Sequence, residues 1–180
     1  SGLQCLDAIQ AVDNEIPIVV LSGQDNEEFA VSILNKGAQD YLVKWEGQGR
    51  TILRSIRYAI ERKKSELRLN YLAQFDALTG IPNRQFFNDQ LIRATARARR
   101  DGRKIGLLFL DLDDFKVVND TLGHDSGDRL LQEVANRIRR SVRTGDVIAR
   151  LGGDEFAVLM EGLSTPREVE VVATGLLDVV

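Results

Sequence analysis

The chain has 180 residues, a formal net charge of −3 and a hydrophobic content of 43%. This acidic balance argues against a general binder of nucleic acids or anionic membranes, and the length suffices for one full domain or two partial ones. The single cysteine, Cys5, excludes an intrachain disulfide and fits a reducing compartment. Because we find neither a signal peptide nor an apolar run of membrane-spanning length, we expect a cytoplasmic chain without a membrane segment.

Residues 1–46 alternate between helical and strand-like patterns. Four predicted elements follow one another as helix, strand, helix and strand: Ser1–Asn14, Ile16–Leu21, Glu27–Lys36 and Tyr41–Val43. This order predicts a parallel βαβ unit. Open parallel sheets place ligand sites at the carboxyl ends of their strands, which is where Ser22 and Lys44 stand.

With these residues in these positions, residues 1–46 resemble the C-terminal half of a response-regulator receiver domain. The resemblance implies that Ser22 is the switch hydroxyl, Tyr41 the switch aromatic residue and Lys44 the phosphate-contacting lysine. Two departures are present: Lys44 is followed by Trp45-Glu46-Gly47 instead of proline, and none of the acids Asp7, Asp13 and Asp25 occupies the phosphoacceptor position. We expect the phosphoacceptor strand to lie upstream. Without it, Ser22 and Lys44 read equally as a turn hydroxyl and a solvated lysine.

Residues 47–75 form a predicted linker. After a short break at Gly47-Gln48-Gly49, the stretch Arg50–Phe75 contains no glycine or proline and carries apolar residues at helical spacing. These residues are Leu53, Ile56, Ile60, Leu67 and Leu72. One helix packed on the preceding domain and a two-stranded coiled coil both fit this pattern, and Lys63 interrupts the stripe, so periodicity favours the coiled coil only slightly.

The segment Arg150–Phe156 lies between two apolar runs and predicts a β-hairpin. Gly152 and Gly153 supply the backbone angles that a tight turn needs. The adjacent carboxylates Asp154 and Glu155 repel each other unless a cation or a substrate compensates them. From these residues alone, a metal site and a solvated acidic turn are equally open.

A second acidic cluster favours the metal site. The apolar run Ile105–Leu110 predicts a buried strand, and it ends in Asp111-Leu112-Asp113. Because strand side chains alternate, we expect Asp111 and Asp113 to share one face. Carboxylates at a strand end, facing an acidic hairpin tip, make an all-oxygen site suited to Mg²⁺ and substrate phosphates. Such a site suits metal-assisted attack on a nucleotide phosphate.

Four motifs in order make a resemblance specific: Asp76–Arg84, Leu110–Lys116, Asn119–Asp125 and Arg150–Phe156. Together they resemble the GGDEF domain, the diguanylate cyclase family, over residues 76–180. The resemblance implies a partial ferredoxin-like, polymerase-palm-type core, whose closing elements we expect beyond Val180. The pattern predicts a mixed sheet with helices on one face, two of them at Arg84–Arg100 and Gly127–Val142. We expect the first helix to end in a solvated basic run that includes Arg97 and to turn four residues inward: Phe86, Phe87, Leu91 and Ile92. The predicted buried stripe of the second helix is Leu130, Leu131, Val134, Ala135, Ile138 and Val142. The chain as a whole is therefore predicted to be α/β, with a partial flavodoxin-like receiver, a helical linker and a partial GGDEF domain.

The family resemblance implies synthesis of cyclic di-GMP from two GTP molecules with Mg²⁺ or Mn²⁺. Asp111, the Leu112 carbonyl and Asp154 would hold the metal, and Glu155 would be the second acid, either assisting the metal or deprotonating the attacking hydroxyl. Gly152 and Gly153 would lie against the substrate. Since one domain offers one GTP site, a cyclic product requires a homodimer.

The resemblance also implies nucleotide contacts outside the hairpin. Asn119 and Asp128 would read the guanine edge, and Lys116 would contact a phosphate. Taken alone, the same three positions are more simply a loop residue (Asn119), a helix-dipole partner (Asp128) and a solvated lysine at a strand end (Lys116). Arg143 and Asp146 match the family's inhibitory R-x-x-D site for cyclic di-GMP; the simpler interpretation is a helix-terminal ion pair. We assign His124 no chemistry.

The parent protein is thus predicted to be a response-regulator diguanylate cyclase controlled by an upstream histidine kinase. The alternative is a non-catalytic module that binds GTP or cyclic di-GMP, with a regulatory role toward a downstream EAL phosphodiesterase. We expect the 180-residue chain by itself to make no cyclic di-GMP.

Overall fold

The computed structural model describes residues 2–23, 26–44 and 49–180. Their helices and strands follow in this order: α1 (Gly2–Val12), β1 (Val19–Ser22), α2 (Glu27–Asn35), β2 (Asp40–Val43), α3 (Gly49–Gln74), α4 (Arg84–Asp101), β3 (Lys104–Leu110), α5 (Phe115–Leu122), α6 (His124–Ser141), β4 (Val147–Gly152), β5 (Glu155–Leu163) and α7 (Arg167–Leu177). The predictions that concern Asp25, Trp45-Glu46-Gly47 and Gln48 fall outside the described residues. The chain divides into two compact units, Ser1–Asn70 and Tyr71–Val180.

The first unit contains the parallel strand–helix–strand arrangement that the sequence predicts. β1 and β2 pair in parallel, with Ser22 opposite Val43. Helices α1 and α2 bury a small apolar core around Leu6 and Ile33. β1 begins later than predicted because the Ile18 amide donates a hydrogen bond to the Gln39 side chain, at 2.6 Å, and not to a neighbouring strand.

Helix α3 turns a different face inward from the one the apolar pattern suggests. Its buried residues are Ser55, Ala59 and Lys63, at intervals of four. Lys63, which interrupts the apolar stripe, forms an ion pair with Glu66 at 3.2 Å. The apolar stripe stays partly open to solvent: Leu53 is 67% exposed, whereas Ile56, Ile60 and Leu72 are 37–41% exposed. The helix therefore carries an apolar stripe beside the face that packs on its own unit.

The second unit is built on a three-stranded antiparallel sheet in the order β3-β5-β4. The central strand β5 is apolar on both faces. Phe156, Val158 and Met160 belong to a core with α6 and α7, whereas Ala157 and Leu159 belong to a core with α4. The predicted mixed sheet with helices on one face is therefore wrong. A strand that is apolar at consecutive positions needs cover on both faces.

Packing on the two faces follows the predicted helix patterns in part. In α6 the buried stripe is as expected: Leu131, Val134, Ala135 and Ile138. In α4 Phe87 is buried, but Ile92, predicted to face inward, is 69% exposed. Gly106 lets α7 approach β3, since a Cβ built there would lie 2.6 Å from Val169. Within the described residues, no helix is both long and apolar enough to cross a membrane.

Candidate functional site

The hairpin forms as predicted and has a two-residue tip. Gly152 at the end of β4 pairs with Glu155 at the start of β5, which leaves Gly153 and Asp154 at the turn. Gly152 has a φ of +143° and Gly153 a φ of +55°, values that favour glycine. The two glycines therefore fix a tip that presents Asp154 and Glu155 next to each other.

The acidic segment after β3 lies at the same end of the sheet as this tip. Leu110, the last residue of β3, pairs with Phe156, so Asp111 leaves the sheet beside the start of β5. The strand does not continue to Asp113 as the alternation argument assumed. Instead the chain turns at Asp114, which has a φ of +59°, and α5 begins at Phe115. The sheet register, and not a shared strand face, brings the two acidic segments together.

The oxygen donors at this end of the sheet fit a hard cation. No three His, Cys, Asp or Glu side chains in the described part of the chain are grouped closely enough to hold a metal ion by themselves. The predicted donor set instead combines the Asp111 and Asp154 carboxylates with the Leu112 carbonyl. This set contains only oxygen, the ligand type that Mg²⁺ usually takes in proteins.

An arginine of β4 holds the hairpin tip through its main chain. Arg150 donates two hydrogen bonds to the Gly153 carbonyl, from Nε at 2.9 Å and from Nη2 at 2.7 Å. Its Nη1 is 3.1 Å from Asp76 Oδ1. Asp76 Oδ1 also accepts hydrogen bonds from Thr79, at 2.9 Å from the amide and 2.7 Å from the hydroxyl. Burial raises the pKa of Asp76, but the Thr79 and Arg150 hydrogen bonds outweigh it and hold that pKa below its usual value.

A second arginine, from the first turn of α4, lies along the other side of the turn. Arg84 Nε donates to the Leu151 carbonyl at 2.7 Å, and Arg84 Nη2 is 3.1 Å from Glu155 Oε2. The charge of one of the two tip carboxylates is therefore compensated from within the chain. No role was predicted from the sequence for Asp76, Arg84 or Arg150. The available signal was that Arg84 and Arg150 belong to two of the four motifs, and that an arginine could pair with the acidic residues of the hairpin tip.

The residues predicted to bind the nucleotide base lie on two successive helices. Asn119 is in the last turn of α5, Asp128 is exposed near the start of α6, and the two helices join at Gly123. The Asn119 side chain packs against Gly127. Lys116 was read as a strand-end residue and in fact lies exposed in the first turn of α5. His124 begins α6 and is exposed.

The predicted R-x-x-D pair lines a cavity of about 640 Å³ away from the hairpin tip. Arg143 Nε is 3.1 Å from Asp146 Oδ1, and the Asp146 side chain is only 1% exposed. This pair is therefore more than a surface contact. Arg97, predicted to belong to a solvated helix end, lines the same cavity and forms a 2.6 Å ion pair with Glu161. The hydrogen bond with Glu161 holds the pKa of Arg97 above its usual value.

In the first unit the predicted switch residues lie where the βαβ pattern places them. Ser22 and Val43 pair at the ends of β1 and β2, and the Lys44 amide donates to the Ser22 carbonyl. Tyr41 is partly buried and its ring meets Phe29 edge-on, with the ring centroids 6.2 Å apart. Ser22 and Lys44 thus lie at one edge of the parallel pair.

Comparison with known proteins supports the second unit's resemblance. The family described as "Diguanylate cyclase, GGDEF domain" matches residues 73–179. The chain is 53% identical over 106 residues to MucR of Pseudomonas aeruginosa, a bifunctional diguanylate cyclase and cyclic di-GMP phosphodiesterase; the match covers 59% of this chain and 15% of MucR.

Two solved structures are similar as well. The GGDEF domain of TpbB (YfiN) from Pseudomonas aeruginosa has a TM-score of 0.57 and 43% identity, and the match covers 58% of this chain and 60% of that one. The coiled coil and GGDEF domain of DgcB from Caulobacter crescentus, in complex with cyclic di-GMP, has a TM-score of 0.59 and 36% identity, with coverage of 72% and 66%. With its hairpin, acidic strand end and family match coinciding in one unit, the chain belongs to the GGDEF diguanylate cyclase family.

Proposed function

We propose that the second unit is the catalytic domain of a diguanylate cyclase, which joins two GTP molecules into cyclic di-GMP and releases two pyrophosphates. In each step a 3′-hydroxyl oxygen forms a bond to the α-phosphorus of the other nucleotide, and the bond from that phosphorus to the pyrophosphate oxygen breaks. The observation that carries the proposal is the intact Gly152–Phe156 hairpin, whose acidic tip lies beside the end of β3.

The site residues divide the work by chemistry. Asp111, the Leu112 carbonyl and Asp154 would hold Mg²⁺ or Mn²⁺, which would neutralise phosphate charge when bound. Glu155 is the second acid, serving either as a metal ligand or as acceptor of the hydroxyl proton. Gly152 and Gly153 let the nucleotide approach the main chain, Lys116 offsets phosphate charge, and Asn119 and Asp128 bind guanine.

The cyclic product is symmetric, so two domains must face each other with one GTP each. The apolar stripe of α3 suits a two-stranded coiled coil that would bring two copies together. The DgcB structure, which contains a coiled coil together with a GGDEF domain, supports this proposal.

Two regulatory inputs complete the proposal. Product would bind at Arg143 and Asp146, since an arginine can engage the guanine O6/N7 edge and a carboxylate can accept guanine N–H groups. The first unit would be part of a receiver domain, with Ser22, Tyr41 and Lys44 as its switch residues and an upstream histidine kinase as phosphoryl donor. The parallel pairing of β1 with β2 supports this assignment.

The test is cyclic di-GMP production by the full-length protein with GTP and Mg²⁺. Asp154→Asn should reduce turnover at least a hundredfold while leaving the fold intact, because the tip is held by main-chain contacts. Asp89→Asn, an exposed acid on α4, serves as the matched control and should keep full activity. Unchanged synthesis in Asp154→Asn would overturn the metal assignment.

One observation favours a second candidate. MucR combines cyclase and phosphodiesterase activities in one chain, so a GGDEF unit can belong to a larger enzyme that also degrades the product. In that case this unit would bind GTP or cyclic di-GMP and regulate a downstream EAL phosphodiesterase. Nucleotide binding without turnover in the wild-type full-length protein would select this alternative.

A further inference from the structure

Gly127, a buried glycine near the start of α6, makes direct contact with a residue of the proposed base site. A Cβ built on Gly127 would lie 2.0 Å from Asn119 Oδ1, 3.0 Å from Asn119 Cγ and 3.3 Å from Phe115 Cζ. The first of these distances is far inside van der Waals contact. The Asn119 amide therefore occupies the space that any other side chain at position 127 would fill.

The position of the Asn119 amide is not explained by a hydrogen bond. In ranges 2–23, 26–44 and 49–180, no protein group forms a hydrogen bond with the Asn119 side chain. Its neighbour in α6, Asp128, is exposed one residue after Gly127. Shape alone thus holds the amide beside the Asp128 position, with its hydrogen-bonding capacity available to a ligand.

We propose that Gly127 is a positioning residue for base selection: its missing side chain seats the Asn119 amide where it can bind the guanine edge together with Asp128. This inference rests on the proposed function, because it assigns Asn119 to guanine. A buried glycine inside a helix is otherwise unfavourable compared with alanine, so the position gains from glycine only through what lies against it.

The experiment compares equilibrium binding of GTP and ATP to full-length wild-type protein, Gly127→Ala, Asn119→Ala and the double variant. Gly127→Ala displaces the Asn119 amide, so the preference for GTP over ATP should fall about tenfold, the size expected for one lost hydrogen bond. Loss of folded protein alone would weaken both nucleotides equally and leave that ratio unchanged. Gly175→Ala is the matched control, since a Cβ on this α7 glycine meets nothing within 4 Å.

The double variant separates positioning from general packing. If Gly127 acts through Asn119, then Gly127→Ala should not change the GTP/ATP ratio further once Asn119 is alanine. The proposal is overturned if Gly127→Ala retains the wild-type ratio, or if it lowers the ratio equally in both backgrounds. It is also overturned if the double variant fails to fold where Asn119→Ala alone folds.

These outcomes are distinct from failure of the proposed function. Wild-type protein that binds neither nucleotide, or that binds GTP and ATP alike, would refute the guanine site itself and the positioning role with it. Wild-type protein that prefers GTP, with Gly127→Ala unchanged, would refute the positioning role alone.

Discussion

The Asp76 carboxylate provides a direct test of how the hairpin is held. Its Oδ1 accepts hydrogen bonds from the Thr79 amide, the Thr79 hydroxyl and Arg150. Replacing Asp76 by alanine removes all three and leaves Arg150, whose side chain is only 13% exposed, without its ion pair. We therefore expect the second unit to lose stability.

The contact geometry sets the size of the loss. A hydrogen bond to a charged group contributes about 1.5–3 kcal/mol, but these bonds share one oxygen and do not add. The Asp76 side chain is 24% exposed, so solvent screens part of the interaction. We expect Asp76→Ala to lower the free energy of unfolding by about 2–3 kcal/mol. For a unit of this size, each kcal/mol lowers Tm by roughly 4 °C.

The pH dependence has a definite sign. The folded-state pKa of Asp76 is held below its unfolded value, so the ionised carboxylate stabilises the fold. That contribution is fully present above the unfolded pKa of about 3.9 and is lost as pH falls through the folded pKa. Asp76→Asn keeps an oxygen acceptor but removes the negative charge, so it isolates the contribution of that charge to stability. The stability gap between wild type and Asp76→Asn should therefore close in acid.

Urea denaturation followed by circular dichroism measures this gap at neutral pH and at several acidic values. Glu133→Gln is the control, because Glu133 pairs with Arg137 on the surface at 2.9 Å and both side chains are about half exposed. Such a pair contributes about 0.3–0.5 kcal/mol. A gap for Asp76→Asn that widens as pH falls, or one no larger than that of Glu133→Gln, would refute the reasoning.

Three further variants test other parts of the second unit. Arg84→Met should lower kcat about tenfold with little change in KM for GTP, because Glu155 loses its partner; Arg93→Met, at an exposed arginine of the same helix, should match wild type in steady-state assays. Arg143→Ala should preserve basal synthesis and raise the cyclic di-GMP concentration for half inhibition at least tenfold. If cyclic di-GMP inhibited wild type and variant equally, Arg143 and Asp146 would be an ion pair without a role in product binding. Gly106→Ala should cost about 1–3 kcal/mol in chemical denaturation, since the added Cβ would meet Val169 at 2.6 Å; a neutral result would mean that α7 shifts freely.

The hairpin and the buried face of α6 could be predicted because their signals are local. Two apolar runs around Gly152 and Gly153 specify a turn and its neighbours, and the spacing in α6 specifies a buried face. The same reasoning failed at Asp113, because alternation holds only while the strand continues. It also missed α5 and α7. No residue of α5 is fully buried, and its Asn119 and Asp120 resemble loop residues.

The arginine contacts could not be predicted because they join distant positions. Arg150 and Asp76 are 74 residues apart, and Arg84 and Glu155 are 71 apart. No periodicity connects such pairs, and an arginine beside an acidic tip reads equally well as solvated. The buried state of Asp146 is equally invisible in the sequence, since an R-x-x-D pair at a helix end is usually exposed.

Arg84 and Arg150 bind the main-chain carbonyls on either side of Gly152: Arg84 binds that of Leu151 and Arg150 that of Gly153. These contacts explain how the acidic hairpin tip can be solvent-exposed and still have a defined conformation. Leu151 and Gly153 are held by their carbonyl oxygens, so Asp154 needs no side-chain contact to keep its position. Arg150 is itself bound to the segment before α4, because its amide donates to the Pro82 carbonyl at 3.0 Å. That segment is bound in turn to the end of α3, where the Asn83 amide donates to the Gln74 carbonyl at 2.9 Å. A displacement of residues 74–84 relative to the sheet would thus be transmitted to the tip through hydrogen bonds. Removing either arginine should loosen the tip while leaving the rest of the sheet in register.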